Sequence, residues 1–288
     1  MKAVAALLAL TATLAAGGAP RAPSGRIAFS AGPLEPGKLD VYAVDADGTN
    51  LVRVTHGRGM SFDPSWSPDG TRVAFRSVRG GNEEVRVVDA DGTRERNLTG
   101  HPAMDYAPAW SPDGRRIAFA STRGSPYPYI WIIDADGGRA HVLTRKVSGE
   151  YPAWSPDGRR IAWASNVDLA KNFEIFVADA DGTHVHNLTR NPAYDMGPAW
   201  SPDGRWIAFY SSRGRSDLYH DLYLMRPDGS GVRRLARVAE LPAWSPDGRF
   251  LVYAGLHGLA IVRADGEPVT RLDLAVPGGP NFPSWVAG

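Results

Sequence analysis

Short runs in which polar and apolar residues alternate recur along the chain, and Gly, Pro, Asp or Asn bound most of them. Segments 72–76, 116–120, 160–164, 206–210 and 250–254 form one series, and 84–88, 129–133, 174–178 and 221–225 form a second. A period of two puts alternate side chains on opposite faces, so both series are predicted as β-strands. Ser-Pro-Asp-Gly precedes each run of the first series, and Asp-Ala-Asp-Gly or a close variant follows the second. Pro presets φ, Asp bonds its own backbone and Gly accepts a positive φ, so each tetrapeptide is a tight reversal. The Asp-x-Asp-Gly turns share the opening of an EF-hand loop but lack the glutamate at its twelfth position. They are read as Asx-type turns.

The pattern is a repeat. Pro-x-Trp-Ser-Pro-Asp-Gly begins at Pro64, Pro108, Pro152, Pro198 and Pro242, and Pro283-Ser284-Trp285 is a partial copy. Its tryptophans, Trp66, Trp110, Trp154, Trp200, Trp244 and Trp285, are separated by 44, 44, 46, 44 and 41 residues. Each unit reads as four strands: a carries Pro-x-Trp, b and c are the two alternating series, and d usually ends in Leu-Thr. Residues 26–30, 40–44 and 51–55 supply b, c and d without an a, and residues 281–286 supply an a alone. Joining them completes one unit, closes a ring and removes two exposed sheet edges. The expected fold is all-β: a six-bladed β-propeller of four-stranded antiparallel blades over residues 23–288. The tryptophans, fixed beside a turn, are expected to pack between blades rather than to stack on sugars.

The repeat with Pro-Ala-Trp-Ser-Pro-Asp-Gly, Arg-Ile-Ala-Phe and a strand ending at Asp-Ala-Asp-Gly resembles the TolB-like propellers, a WD-related family, over residues 25–287. The resemblance implies a propeller that binds partner proteins, or one that covers an active site supplied by another domain. TolB carries a small α/β domain before its propeller, and this chain is expected to lack it.

Composition narrows the function. The net charge is +1, with 43% hydrophobic and 22% charged residues, so no strong field draws the chain to nucleic acid. Cysteine is absent, which excludes disulfides, thiolate metal sites and a lipidated cysteine. Lys2 followed by apolar residues 3–16 and then small residues reads as a secretory signal, with residues 1–22 as signal and linker. An uncleaved anchor is the alternative. The mature protein is expected in the periplasm or outside the cell, as a monomer without stable membrane insertion.

Catalytic signals are weak. There is no GxSxG, HExxH or Gly-rich phosphate loop, and the seven histidines are dispersed. His184 and His186 share a strand face, too few ligands for a metal. The a–b and c–d turns lie on one face and repeat nearly unchanged. The b–c loops and d–a connections lie on the other and vary, which makes that face the candidate surface. Its loops carry Arg79, Asn82, Glu83, Arg123, Asp168, Lys171, Asn172 and His257. The expected partner anchors are Tyr127, Tyr129, Arg213, Arg215, Tyr219 and His220, since aromatics and Arg dominate interface energetics. Asp63, Asp105, Glu150, Asp195, Glu240 and Asn281 stand one to three residues before the Pro of Pro-x-Trp, where they are expected to ring the channel mouth. No cofactor is expected, with a channel cation such as calcium left open. The leading reading is a non-catalytic scaffold for an envelope protein, peptide or glycan. The alternative is a lyase or glycosidase working near the channel.

Overall fold

The structure, a computed structural model, describes residues 22–32, 38–57, 59–166, 172–214, 219–272, 274, 276 and 280–287. The signal segment, Asp168, Lys171 and Arg215 lie outside them. Every regular element among the described residues is a strand, and the strands fall into four-stranded antiparallel meanders. Meander 1 comprises Asn281–Val286, Arg26–Ala31, Lys38–Asp45 and Val52–Arg53, as strands a to d. Meander 2 comprises Gly59–Trp66, Arg72–Arg79, Asn82–Asp89 and Arg96–Asn97. Meander 3 comprises Asp105–Trp110, Arg116–Ser121, Tyr129–Asp134 and His141–Val142. Meander 4 comprises Glu150–Trp154, Arg160–Ser165, Glu174–Asp179 and His186–Asn187. Meander 5 comprises Asp195–Trp200, Ile207–Ser211, Asp221–Met225 and Arg233–Ala236. Meander 6 comprises Ala239–Trp244, Phe250–Gly255, Gly258–Arg263 and Pro268–Arg271.

Meanders 3 to 6 are separate sheets, whereas meanders 1 and 2 form one eight-stranded sheet. Four of the expected six blades therefore stand as separate four-stranded sheets. Lys38–Asp45 and Gly59–Trp66 are each eight residues long, and their first residues pair in parallel, Lys38 with Gly59 and Leu39 with Met60. The closing strand is where the sequence predicts it: Asn281–Val286 pairs antiparallel with Arg26–Ala31, Arg26 opposite Val286 and Ile27 opposite Trp285.

Turn chemistry sets the hairpins. In Ser67-Pro68-Asp69-Gly70 the Ser67 hydroxyl donates to Asp69 Oδ1 at 2.6 Å, the Arg72 amide donates to Ser67 Oγ at 2.9 Å, and Gly70 has φ 67°. The Ser67 hydroxyl, with the Thr71 amide and hydroxyl, holds the Asp69 carboxyl down at about 2. The same serine–aspartate bond recurs in the turns at Ser111, Ser155, Ser201 and Ser245. In the c–d turns Asp47, Asp91 and Asp181 each accept the amide two residues on at 2.9 Å. Their oxygens serve the turn, as the Asx reading expects.

The core is distributed between neighbours. Trp66 packs with Ala28, Val41 and Val54 of meander 1, and Trp110 with Ala74 and Val85 of meander 2. Trp285 packs with Phe250, Val252 and Ile261 of meander 6, which seals the ring across the chain ends. The repeat tryptophans are 5–8% exposed. Arg26, Arg72, Arg116 and Arg160 cover the rings of Trp66, Trp110, Trp154 and Trp200 at 4.7–5.4 Å. The tryptophans are packing residues.

Candidate functional site

Strand a lines the axis. Asp63-Pro64, Ala107-Pro108, Tyr151-Pro152, Gly197-Pro198, Leu241-Pro242 and Phe282-Pro283 surround one cavity of 130 Å³. The residue before each proline has φ between 49° and 58°. Within every meander the a–b register shifts at this point, because proline offers the ladder no N–H and a bulge absorbs the gap. At Gly197 a Cβ would lie 2.6 Å from the Tyr210 ring, so only glycine fits.

Asp63 is the single acid among those six channel-lining pairs. Its side chain is 7% exposed, Arg76 Nη1 lies 3.9 Å from Oδ2, and neither carboxylate oxygen makes a well-formed hydrogen bond. Burial pushes its carboxyl up to about 6, against the pull of Arg76 and the Ala107 amide. Arg76 is committed to Glu83 at 2.7 Å and lies over the rings of Phe62 and Tyr106. Above the unfolded value of 3.8 the unfolded chain releases a proton that native Asp63 retains, so stability falls as pH rises and the loss is complete above about 6. Asp63→Asn is expected to stabilise the protein at about pH 7 relative to about pH 3.5, by on the order of 2–3 kcal/mol. Urea unfolding at both values checks this, and a pH-independent difference overturns it.

The six acidic or amide positions do not form one ring, which corrects the expectation drawn from their spacing. Asp105 and Asp195 are fully buried and bound by Arg123 and Arg213, each through Nη2 at 2.7 Å. Glu150 and Glu240 stand one residue closer to proline and face the mouth. Tyr106 donates to Glu150, and Glu240 Oε1 lies 2.6 Å from His220 Nδ1. Asn281 is exposed on the closing strand. A one-residue step reverses a strand side chain, and the bulge reverses it again at the proline, so equal distance from Pro-x-Trp is required for equal direction.

Three tyrosines missed by sequence reading complete the mouth. Burial raises the phenols of Tyr106, Tyr151 and Tyr210, and nearby Glu150 or Glu240 adds to this, so they remain hydroxyl donors. The Tyr210 ring meets His220 edge-on at 5.2 Å. Tyr151 carried a signal, as the residue directly before a repeat proline. Tyr106 and Tyr210 carried none that separates them from strand packing.

The b–c loops divide similarly. Tyr127 and Tyr219 are 44% and 45% exposed, and Tyr129 is half-buried opposite Ser121. Arg213 is spent on Asp195 and stacks over Phe209 at 5.2 Å, so it holds its loop rather than facing outward. Arg123 does the same in meander 3. Arg79 pairs with Glu95 at 2.7 Å, Asn82 and Asn172 donate to backbone carbonyls, and His257 is exposed. Met104, Tyr194 and Leu256, which sequence reading passed over, are 47–57% exposed on the same face. Asp105 is committed to Arg123, whereas Glu150 accepts from Tyr106, and among the described residues no group of three His, Asp or Glu is placed to hold a metal.

The model of the TolB beta propeller domain matches residues 24–151 and 82–267. The chain belongs to the TolB beta propeller family. A TolB homolog of Chlorobium luteolum is 50% identical over 48 residues, 17% of this chain and 11% of that protein. The crystal structure of TolB from Acinetobacter baumannii aligns with a TM-score of 0.78 at 23% identity, covering 93% of this chain and 68% of TolB. A putative TolB from Agrobacterium tumefaciens aligns with a TM-score of 0.70 at 23% identity, covering 86% and 89%. These structures share the TolB-type fold, and the curated homolog is matched over only a small part of its length.

Proposed function

We propose that the six meanders act as six blades of an exported, non-catalytic TolB-type propeller, which binds a protein or peptide of the cell envelope on its b–c and d–a face. One observation carries the reading. Of the eight exposed large hydrophobic residues among those described, Met104, Tyr127, Tyr194, Tyr219 and Leu256 lie on this face. The other three, Val52, Val232 and Val269, lie on or beside outer strands, and the repeated-turn face has none. Apolar side chains gathered on one variable face suit recognition, and the acids at the channel mouth would favour a partner that brings positive charge. Export rests on Lys2 and the apolar segment 3–16.

Photo-crosslinking from positions 127, 194 and 219, with position 115 on the repeated-turn face as control, tests the reading in envelope extract. A common adduct from the three face positions and none from the control is expected. Tyr127→Ala and Tyr219→Ala should each weaken the captured partner about 30-fold, the equivalent of about 2 kcal/mol. Adducts from the control position alone, or unchanged affinity in both variants, overturn it.

A further inference from the structure

The repeated-turn face departs from its own pattern in meanders 5 and 6. In meanders 1 to 4 the first residue of strand b is Arg and its cross-strand partner at the end of strand c is Asp: Arg26 opposite Asp45, Arg72 opposite Asp89, Arg116 opposite Asp134, Arg160 opposite Asp179. In meander 5 Trp206 and Arg226 take these places, just beyond the Ile207–Met225 pair. An acid has become a base, a change of two charges. Meander 6 also ends strand c in arginine, but Arg263 keeps a carboxylate, Asp265, at 2.7 Å. Arg226 has no carboxylate within 4.0 Å among the described residues, and neither does Arg160, whose cross-strand Asp179 is taken by His184 at 2.7 Å.

Both guanidiniums are held in place, with Asp228 acting electrostatically on Arg226 and Asp157 on Arg160 from beyond contact distance. Arg160 stacks over Trp200 at 4.7 Å and Arg226 over Trp206 at 5.2 Å. A guanidinium anchored over an indole is partly ordered and keeps N–H donors for a planar or tetrahedral oxyanion. With Arg205 they line one cleft of 350 Å³, in which Asp228 is the single acid, bonded to the Ser230 amide at 2.9 Å. Arg205 is already faced by Asp203, 3.9 Å from its Nε, so Arg160 and Arg226 are the cations of the cleft that have no carboxylate within 4.0 Å among the described residues. The adjoining groove of 770 Å³ is open beside His186. In meanders 2 and 5 the residue at that position is Arg96 or Arg233, which reaches across to a carbonyl of the next meander. Histidine is too short to do so.

We propose that this cleft between meanders 4 and 5 binds an oxyanion of the phosphate class, held by Arg160 and Arg226 with Arg205 beside them. Three guanidiniums around one cleft suit the several oxygens of a phosphate rather than the two of one carboxylate. The site lies on the face opposite the proposed partner surface, and its test needs no partner.

The whole mature chain should be titrated by calorimetry with inorganic phosphate and pyrophosphate, and with acetate as the carboxylate arm, at constant ionic strength. One saturable phosphate or pyrophosphate site is expected, weakened about tenfold or more by Arg226→Asp, which restores the residue of meanders 1 to 4, and by Arg160→Gln. Arg115→Gln, at the position in meander 3 equivalent to Arg205, should leave it unchanged. Absence of saturation, equal weakening by Arg115→Gln, or acetate binding as tightly as phosphate overturns the proposal. Arg160→Gln keeps the test valid should Arg226→Asp fail to fold.

Discussion

Deleting residues 281–288 is expected to lower the melting temperature by about 10 °C or more and to make the protein self-associate. The deletion removes the strand paired with Arg26–Ala31 and takes Trp285 from between meanders 1 and 6. Trp285 is 8% exposed, and its Nε1 donates to the Ser24 carbonyl at 3.0 Å. Truncating a buried aromatic of this kind to alanine costs about 3–5 kcal/mol, so Trp285→Ala alone should show much of the thermal loss. The deletion adds what the point variant does not: Arg26–Ala31 becomes an exposed edge, ready to pair with another copy. Thermal melting and size-exclusion chromatography separate these effects. A truncated chain that stays monomeric with an unchanged melting temperature would show that closure contributes nothing.

The second large effect is expected at Arg213. Asp195 is fully buried and receives Arg213 Nε at 3.2 Å, Arg213 Nη2 at 2.7 Å and Asn191 Nδ2 at 2.6 Å. Arg213→Ala leaves that carboxylate with one neutral donor, and an uncompensated buried charge costs about 3–5 kcal/mol. The double variant Arg213→Ala/Asp195→Ala should recover part of the loss, since neither charge then remains buried. Denaturant unfolding of both singles and the double gives the coupling. Additive losses would mean that the pair does not act as a unit. The Arg213 carbonyl accepts the Tyr223 hydroxyl at 3.1 Å, so the same change loosens the loop that leads to Tyr219. Partner affinity should therefore fall in Arg213→Ala by displacement of its neighbours rather than by loss of a direct contact.

The fold was legible because its signal is repeated: Trp66 and its equivalents mark the seams, and the serine–aspartate turns bond as their residue types require. Exposure of Tyr127 and Tyr219 followed from their place in long b–c loops. The charged residues were harder to read. Arg213 looks the same in sequence whether it faces a partner or a buried Asp195. What decides is the aspartate's offset of three from Pro198 and the bulge between them. Asp105 and Asp195 share that offset and share a fate, while Glu150 and Glu240 stand one step closer and turn outward. Position relative to proline was visible, but the left-handed residue that reverses its meaning was not. The joining of meanders 1 and 2 was likewise hidden, because strand length past the core is set by contacts that leave no periodic trace.

Meander 1 also dictates an order of events. The bond from Trp285 to Ser24 spans 261 positions, the separation that loop closure must bridge before this seam can form. Every other meander can zip from neighbours made within the same stretch of chain. Arg26–Ala31 is made well before residues 281–286 and waits without its inner neighbour until they exist, so the first strand of meander 1 in chain order is also the last to be covered.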